Sequence, residues 1–300
     1  MQKITPYLWF DTNAEEALSF YTTHFPKSRV LGIERYPDRP LDIPQPGMAG
    51  KVLNGTFELA GFRFMALDGG PNFHFNPSVS FYVNLESKTE ISQLWDQLVS
   101  GGQALMPLDD YPFSRWFGWV QDRFGVSWQL ILAEQPVRQP IVPSLMFVGA
   151  NAGRAEEAIG FYAQVFDNAS VGDVTRYGPD QAPEEEGSVA YGAFTLAGQE
   201  LVAMDSAREH NFTFNEAISL YVECGSQEEV DHYWGSLSAV PEAEQCGWLK
   251  DRFGLSWQIV PRRLGELMSD PDPEKSARVM DAMLKMKKID ISGLERAHRG

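Results

Sequence analysis

The sequence predicts an α+β protein made of tandem βαβββ units, four in all, and three observations carry that prediction. First, Gly118-Trp119-Val120-Gln121-Asp122-Arg123-Phe124-Gly125-Val126-Ser127-Trp128-Gln129-Leu130 returns as Gly247-Trp248-Leu249-Lys250-Asp251-Arg252-Phe253-Gly254-Leu255-Ser256-Trp257-Gln258-Ile259. Second, the rest of the two halves aligns in the same order: Pro6 with Pro143, Ala14-Glu15-Glu16-Ala17 with Ala155-Glu156-Glu157-Ala158, Asp68 with Asp205, and Ser80 and Tyr82 with Ser219 and Tyr221. Third, within each half a strand-like segment, a helical segment and three strand-like segments follow one another, and the order then repeats. An internal repeat fixes architecture because each copy must meet the same folding constraints.

Each half opens with a short strand, residues 4–10 and about 142–148, followed by a helix over 14–25 and 155–166. Ala17, Phe20, Tyr21 and Phe25 recur at helical spacing, Asn13 is a suitable N-cap, and Glu15 and Glu16 sit in the first turn, where the helix dipole favours them. Strands are expected at about 30–36, 52–59 and 62–68, the last two joined by Ala60-Gly61 as a tight hairpin turn. The second unit has a strand at 78–84, a helix at 88–100 capped by Ser87 and ended by Gly101-Gly102, and further strands up to 132. Asp122-Arg123-Phe124-Gly125 turns the final hairpin. The stretch from Met106 to Phe117 is longer than its second-half counterpart and reads as a lid beside a cavity.

Residues 1–135 form one domain and 141–262 the second. Residues 136–140 link them, with Pro136 and Pro140 favouring an extended connection. In the tail, 263–300, Ala277, Met280, Met283, Leu284 and Met286 place an apolar stripe on a helix over 274–290, with Lys285, Lys287 and Lys288 at its C-terminal end. That stripe must be covered by its own domain or, in a homodimer, by exchange between protomers.

Composition narrows the function classes. The chain is 43% hydrophobic and 12% aromatic, sufficient for two cores, and no apolar run approaches the roughly 20 residues of a membrane span. Its formal net charge of -16 disfavours nucleic acid, whose sequence-independent binding rests on Lys and Arg. The acidity serves solubility or attracts cationic ligands. The N-terminus lacks the basic and apolar regions of a signal peptide, and Cys224 and Cys246 make no disulfide framework, so a cytoplasmic location is expected. Both cysteines answer to apolar residues, Leu85 and Phe117, and read as buried thiols.

Paired βαβββ units with Pro6-Tyr7-Leu8-Trp9-Phe10 before Ala14-Glu15-Glu16-Ala17, Phe214-Asn215-Glu216-Ala217-Ile218-Ser219, and the Cys246 to Gln258 segment resemble the vicinal oxygen chelate superfamily. That superfamily includes glyoxalase I, extradiol dioxygenases and bleomycin-resistance proteins, and the PhnB-like branch is the nearer likeness. The resemblance implies two glyoxalase-like domains, each enclosing a cavity with four inward positions that hold a divalent metal in catalytic members. Those positions are expected at Tyr7, Asp68, Ser78 and Gln129, and at Ser144, Asp205, Ala217 and Gln258. One carboxylate per set and no histidine bind transition metals weakly. His74 and His210 read as loop or core residues rather than ligands. No cofactor is therefore expected.

The residues expected to line small-molecule pockets are Tyr7, Trp9, Asp68, Asn76, Ser78, Trp116 and Gln129, with Asp205, Asn215 and Gln258 in the second half. A strand alternates its faces, so Gln129 lies opposite Trp128 and Leu130 and either joins a buried network or faces a pocket. Asp68 and Asp205 end apolar strands and serve either as cavity carboxylates or as caps of the following turn. Tryptophans 9, 116, 119 and 248 suit either the core or a planar ligand. Members of the branch carry a demethylubiquinone methyltransferase label, which the sequence does not support, since no strand leads into a Gly-x-Gly turn with a following acidic residue. The expected function is metal-free binding of a small molecule; the alternative is a metal-dependent lyase, isomerase or dioxygenase with an atypical site.

Overall fold

The computed structural model describes residues 2–39, 41, 47–134 and 136–300. Met1 and Gln135, the two ends of the first domain read from the sequence, lie outside the described residues. The first unit comprises β1 (Ile4–Phe10), α1 (Ala14–His24), β2 (Arg29–Arg35), β3 (Val52–Leu59) and β4 (Phe62–Asp68). The second comprises β5 (Val79–Leu85), α2 (Lys88–Val99), β6 (Gln103–Tyr111), β7 (Ser114–Gln121) and β8 (Ser127–Leu132). The third repeats the order with β9 (Ile141–Phe147), α3 (Ala155–Val165), β10 (Ser170–Arg176), β11 (Val189–Leu196) and β12 (Gln199–Asp205). The fourth has β13 (Ile218–Cys224), α4 (Gln227–Leu237), β14 (Trp248–Lys250) and β15 (Ser256–Pro261).

The four units pair across the halves. A seven-stranded sheet runs β14-β15-β13-β1-β4-β3-β2, and an eight-stranded sheet runs β10-β11-β12-β9-β5-β8-β7-β6. β1 joins β13 antiparallel, with Tyr7 opposite Ser219, and β9 joins β5 antiparallel, with Ser144 opposite Ser80. Each sheet thus takes one unit from each half. The aromatic core, by contrast, closes within a half: Tyr21 of α1 lies 5.3 Å from Trp128 of β8, and Tyr162 of α3 lies 5.5 Å from Trp257 of β15.

Alternation along the strands separates two faces in each sheet. Leu8, Phe64, Ala66, Phe81, Leu130, Leu220, Trp257 and Ile259 belong to the main core on the helix-packed face. Tyr7, Ser219, Tyr221 and Gln258 of one sheet, and Ser144, Ser80, Tyr82 and Gln129 of the other, point to the opposite, inner face. The hairpin Ala60-Gly61 takes φ values of 50° and 81°, and Ala197-Gly198 repeats it with 50° and 77°.

Three expectations are corrected. Among the described residues the fourth unit has only two strands after its helix. The edge beside β14 is met instead by the tail, whose Met286 and Lys287 carbonyls accept from the N–H groups of Cys246 and Gly247 at 2.8 Å each. That long-range pairing also overrides the helical period of 274–290: the tail folds as α5 (Arg262–Met268), α6 (Pro273–Met283) and α7 (Ile291–Arg299), not as one helix. Third, the stretch 106–117 is a β-hairpin rather than a lid loop, with β6 and β7 paired from Gln103↔Gln121 to Tyr111↔Ser114. The tail's apolar stripe is covered by its own chain. Val260, Leu264, Leu267, Val279, Ile289 and Leu294 pack together with Tyr221, Met283 and Met286 against the inner face of the seven-stranded sheet.

Candidate functional site

Strand parity decides the role of the two aspartates. Asp68 follows Phe62, Phe64 and Ala66 on the helix-packed face, and its carboxylate accepts from Ala14 N at 2.8 Å and Val52 N at 2.9 Å. Asp205 does the same for Ala155 N and Val189 N, at 3.0 Å each. These side chains satisfy the first turns of α1 and α3, a task the sequence assigned to Asn13, which makes no side-chain cap bond. Burial raises both carboxyl pKa values, opposed by the amide hydrogen bonds. Neither carboxylate reaches an inner face.

The glutamines do. Gln129 Nε2 donates to Ser80 Oγ at 2.8 Å, and Gln258 Nε2 donates to Ser219 Oγ at 2.9 Å, all four side chains being buried. Ser80 and Ser219 stand on the inner faces two residues beyond Ser78 and Ala217, which immediately precede β5 and β13. The sets also mix: Tyr7 shares its sheet with Ser219 and Gln258, while Ser144 shares its sheet with Ser80 and Gln129.

Other expected residues lie apart from the two glutamines. Asn76 Nδ2 donates to Thr213 O at 3.0 Å and Asn215 Nδ2 to His74 O at 2.9 Å, while their oxygens accept from Ser78 N and Ala217 N. They are reciprocal clasps between the halves. Ser78 lies buried beside that clasp, its carbonyl accepting from Met146 N at 2.8 Å. Trp116 lies on the helix side, under Lys88, whose Nζ sits 4.4 Å above the ring, and near Ser92. The inward tryptophan of β7 is Trp119, whose Nε1 donates to Ser127 Oγ at 2.7 Å.

The two inner faces have diverged. On the seven-stranded sheet Tyr7 donates to Asn54 Oδ1 at 3.2 Å and packs against Tyr221 and Trp248, each with ring centroids at 6.3 Å. Trp9 closes the same face, its Nε1 on Gly70 O at 2.9 Å and its ring 5.9 Å from Trp248, and the tail covers the far end. On the eight-stranded sheet Ser144 and Met146 stand where Tyr7 and Trp9 stand on the other. Val142, Met146, Val148, Val202 and Met204 form an apolar cluster with Tyr82, Trp119 and Phe212. Beside it Ser144 Oγ is buried without a hydrogen-bond partner among the described residues, as is Ser256 Oγ on the inner face of the other sheet, away from this cluster.

A glyoxalase-type metal does not fit these positions. The inward groups are hydroxyls and primary amides, weak ligands for a divalent transition metal. Among the described residues no group of three or more His, Cys, Asp or Glu is placed to hold an ion. Burial pushes the Cys224 thiol up to about 12 and the Cys246 thiol up to about 11, which disfavours the thiolate at both.

The model of the family described as 3-demethylubiquinone-9 3-methyltransferase matches residues 2–131 and again 139–260. Protein YjdN of Escherichia coli strain K12 is 25% identical over 150 residues, spanning 45% of this chain and 99% of YjdN. A PhnB protein from Bacillus cereus is 46% identical over 44% of this chain and all of its own, with a TM-score of 0.40. A Zea mays glyoxalase I mutant matches over 86% of this chain and 93% of its own, with a TM-score of 0.54 and 11% identity, a likeness of fold alone.

Proposed function

The chain belongs to the family described as 3-demethylubiquinone-9 3-methyltransferase, and from that premise we propose that it binds a small, mainly apolar molecule on the inner face of its eight-stranded sheet. The observation that carries the reading is the unpaired hydroxyl of Ser144. A buried hydroxyl without a partner costs about 1–3 kcal/mol, which a ligand atom able to hydrogen-bond would recover. The surrounding apolar and aromatic side chains supply the bulk of a small-molecule site, and the few polar groups would set its orientation. Methyl transfer is not part of this reading, because the family description names an activity for which no group here is assigned.

The test uses 4-nitrophenol, a planar molecule with one acidic hydroxyl, titrated against tryptophan fluorescence. Quenching is expected in the wild type and in Trp248→Phe, and lost in Trp119→Phe. Ser144→Val, which removes the hydroxyl and keeps the volume, is expected to weaken binding about tenfold, equivalent to ~1.4 kcal/mol. Unchanged affinity in Ser144→Val would remove the eight-stranded face from the site.

A further inference from the structure

The second half carries a hydrogen-bonded chain with no counterpart among the described residues of the first. Glu184 is a buried carboxylate, its side chain only 5% exposed. It accepts from Ser206 Oγ at 3.2 Å, Ala207 N at 2.6 Å and Arg208 Nε at 3.0 Å. Ser206 Oγ lies 3.0 Å from His210 Nε2. With the serine proton directed to Glu184, Oγ offers a lone pair to the imidazole, which fixes the Nε2–H tautomer and leaves Nδ1 as an acceptor. Nδ1 has no partner among the described residues.

The position of this imidazole matters as much as its tautomer. It lines an open depression of about 540 Å³ shared with His74, Asn76 and Phe212. Its ring lies 4.9 Å from that of Phe212, which packs on the cluster of Met146, Val202 and Met204 with Tyr82 and Trp119. The imidazole therefore stands at the rim of the eight-stranded inner face. In the first half, Gly69 answers to Ser206, and a Cβ there would fall 2.1 Å from the Trp9 ring. Beside Trp9 there is no room for a serine, whereas Met146 stands in the place of Trp9 in the second half, which has kept it.

We propose that His210, positioned by Ser206 and Glu184, is the proton acceptor of this face, acting on an acidic hydroxyl, phenolic or enolic, of an apolar ligand. The proposal rests on the ligand occupying the eight-stranded face. In the step, the ligand O–H bond breaks, its electron pair stays on oxygen, and the proton goes to Nδ1, giving an imidazolium beside the Glu184 carboxylate. Burial holds the imidazole below the ordinary histidine value, Glu184 opposes this and Arg208 reinforces it, so the ring is neutral near pH 7 and its lone pair is available. Other titratable groups nearby are His74 across the depression, Glu209 next in sequence, and Tyr177, which faces Glu184 and Arg208 and donates to Asp205 O at 3.3 Å.

Two measurements test the step. Nitrogen-15 NMR of the full chain should show His210 as the Nε2–H tautomer, shifting toward a mixture in Ser206→Ala and Glu184→Gln. The absorbance of bound 4-nitrophenol against pH should show its apparent pKa about one unit higher in His210→Gln than in the wild type, while its affinity for the neutral form holds. An Nδ1–H tautomer in the wild type, or the same ionisation of the bound probe in His210→Gln, overturns the proposal and leaves the binding face intact. Ser144→Val should lower affinity without moving the ionisation of what remains bound. Failure of the wild type to bind the probe removes both readings together.

Discussion

Asp122 and Asp251 are the residues on which each half turns. The Asp122 carboxylate accepts from Tyr21 Oη at 2.7 Å, Trp128 Nε1 at 2.8 Å and the N–H groups of Phe124 and Val126, and Asp251 does the same for Tyr162, Trp257, Phe253 and Leu255. Replacing either by Ala strands a buried phenol and an indole N–H, which is expected to cost about 3–5 kcal/mol, read as a lower denaturant midpoint with little change in slope. The two losses should add in the double variant, because the hubs share no partner; a loss under 1 kcal/mol in both single variants would show that the hubs do not hold the halves. The turn formed by Asp122-Arg123-Phe124-Gly125 was legible from residue type, with Gly125 at φ 95°. The hub was not, since Tyr21, the partner that ties the turn to a helix, lies 101 residues away in sequence. Asp68 shows the same limit: the residue type that ends a strand in a pocket also caps a helix, and only the face on which Phe64 and Ala66 lie separates the two.

At the scale of elements, helices and hairpins with strong periodicity were legible: α1, α2 and α3 begin where the apolar spacing places them, and Ser87 caps α2 by accepting from Glu90 N. What failed was where another part of the chain overrides local preference. The stripe of Met280, Met283 and Met286 is real, but the carbonyls of Met286 and Lys287 are used by Cys246 and Gly247, and the helix stops at Met283. The tail thus replaces a missing edge strand and caps a sheet face at once. Its surface ion pairs, Lys288 with Asp231 and Lys287 with Glu244, are exposed and contribute little beside the apolar cluster. A chain ending at Pro261 is therefore expected to unfold several degrees lower and to bind an apolar dye through Tyr221 and Val260, and Met286→Asp in the full chain should show the same two changes. An unaltered melting temperature with no dye binding would mean that the tail rests on the sheet without stabilising it.

At the scale of the whole molecule, duplication hides its own pairing. β1 and β9 are near-copies, as are β5 and β13, so any pairing of a first-type edge with a second-type edge satisfies the same residues, and the choice of β1 with β13 is set by how the halves dock. The clasps of Asn76 and Asn215, and Gln199 bonding both the N–H and the carbonyl of Ile4, record that docking. A second global property follows from charge. With a net charge of -16 and a pI near 4.7, self-repulsion grows as pH rises from 5 to 8. Asp68, Asp122, Asp205 and Asp251 act in the same direction: burial raises each pKa in the folded chain above its unfolded value. Their contribution is fully present below the unfolded aspartate value, about 4, and is lost as pH rises through the folded one. Glu15, Glu156 and Glu157 run oppositely, their pKa values lowered by hydrogen bonds from Arg35, Arg176 and Arg154, but they are exposed and weigh little. The melting temperature should therefore be higher at pH 5.5 than at pH 8. Added salt should narrow that difference by screening the surface repulsion. A melting temperature that falls steadily from pH 8 to pH 5.5 would place the weight on the surface ion pairs instead.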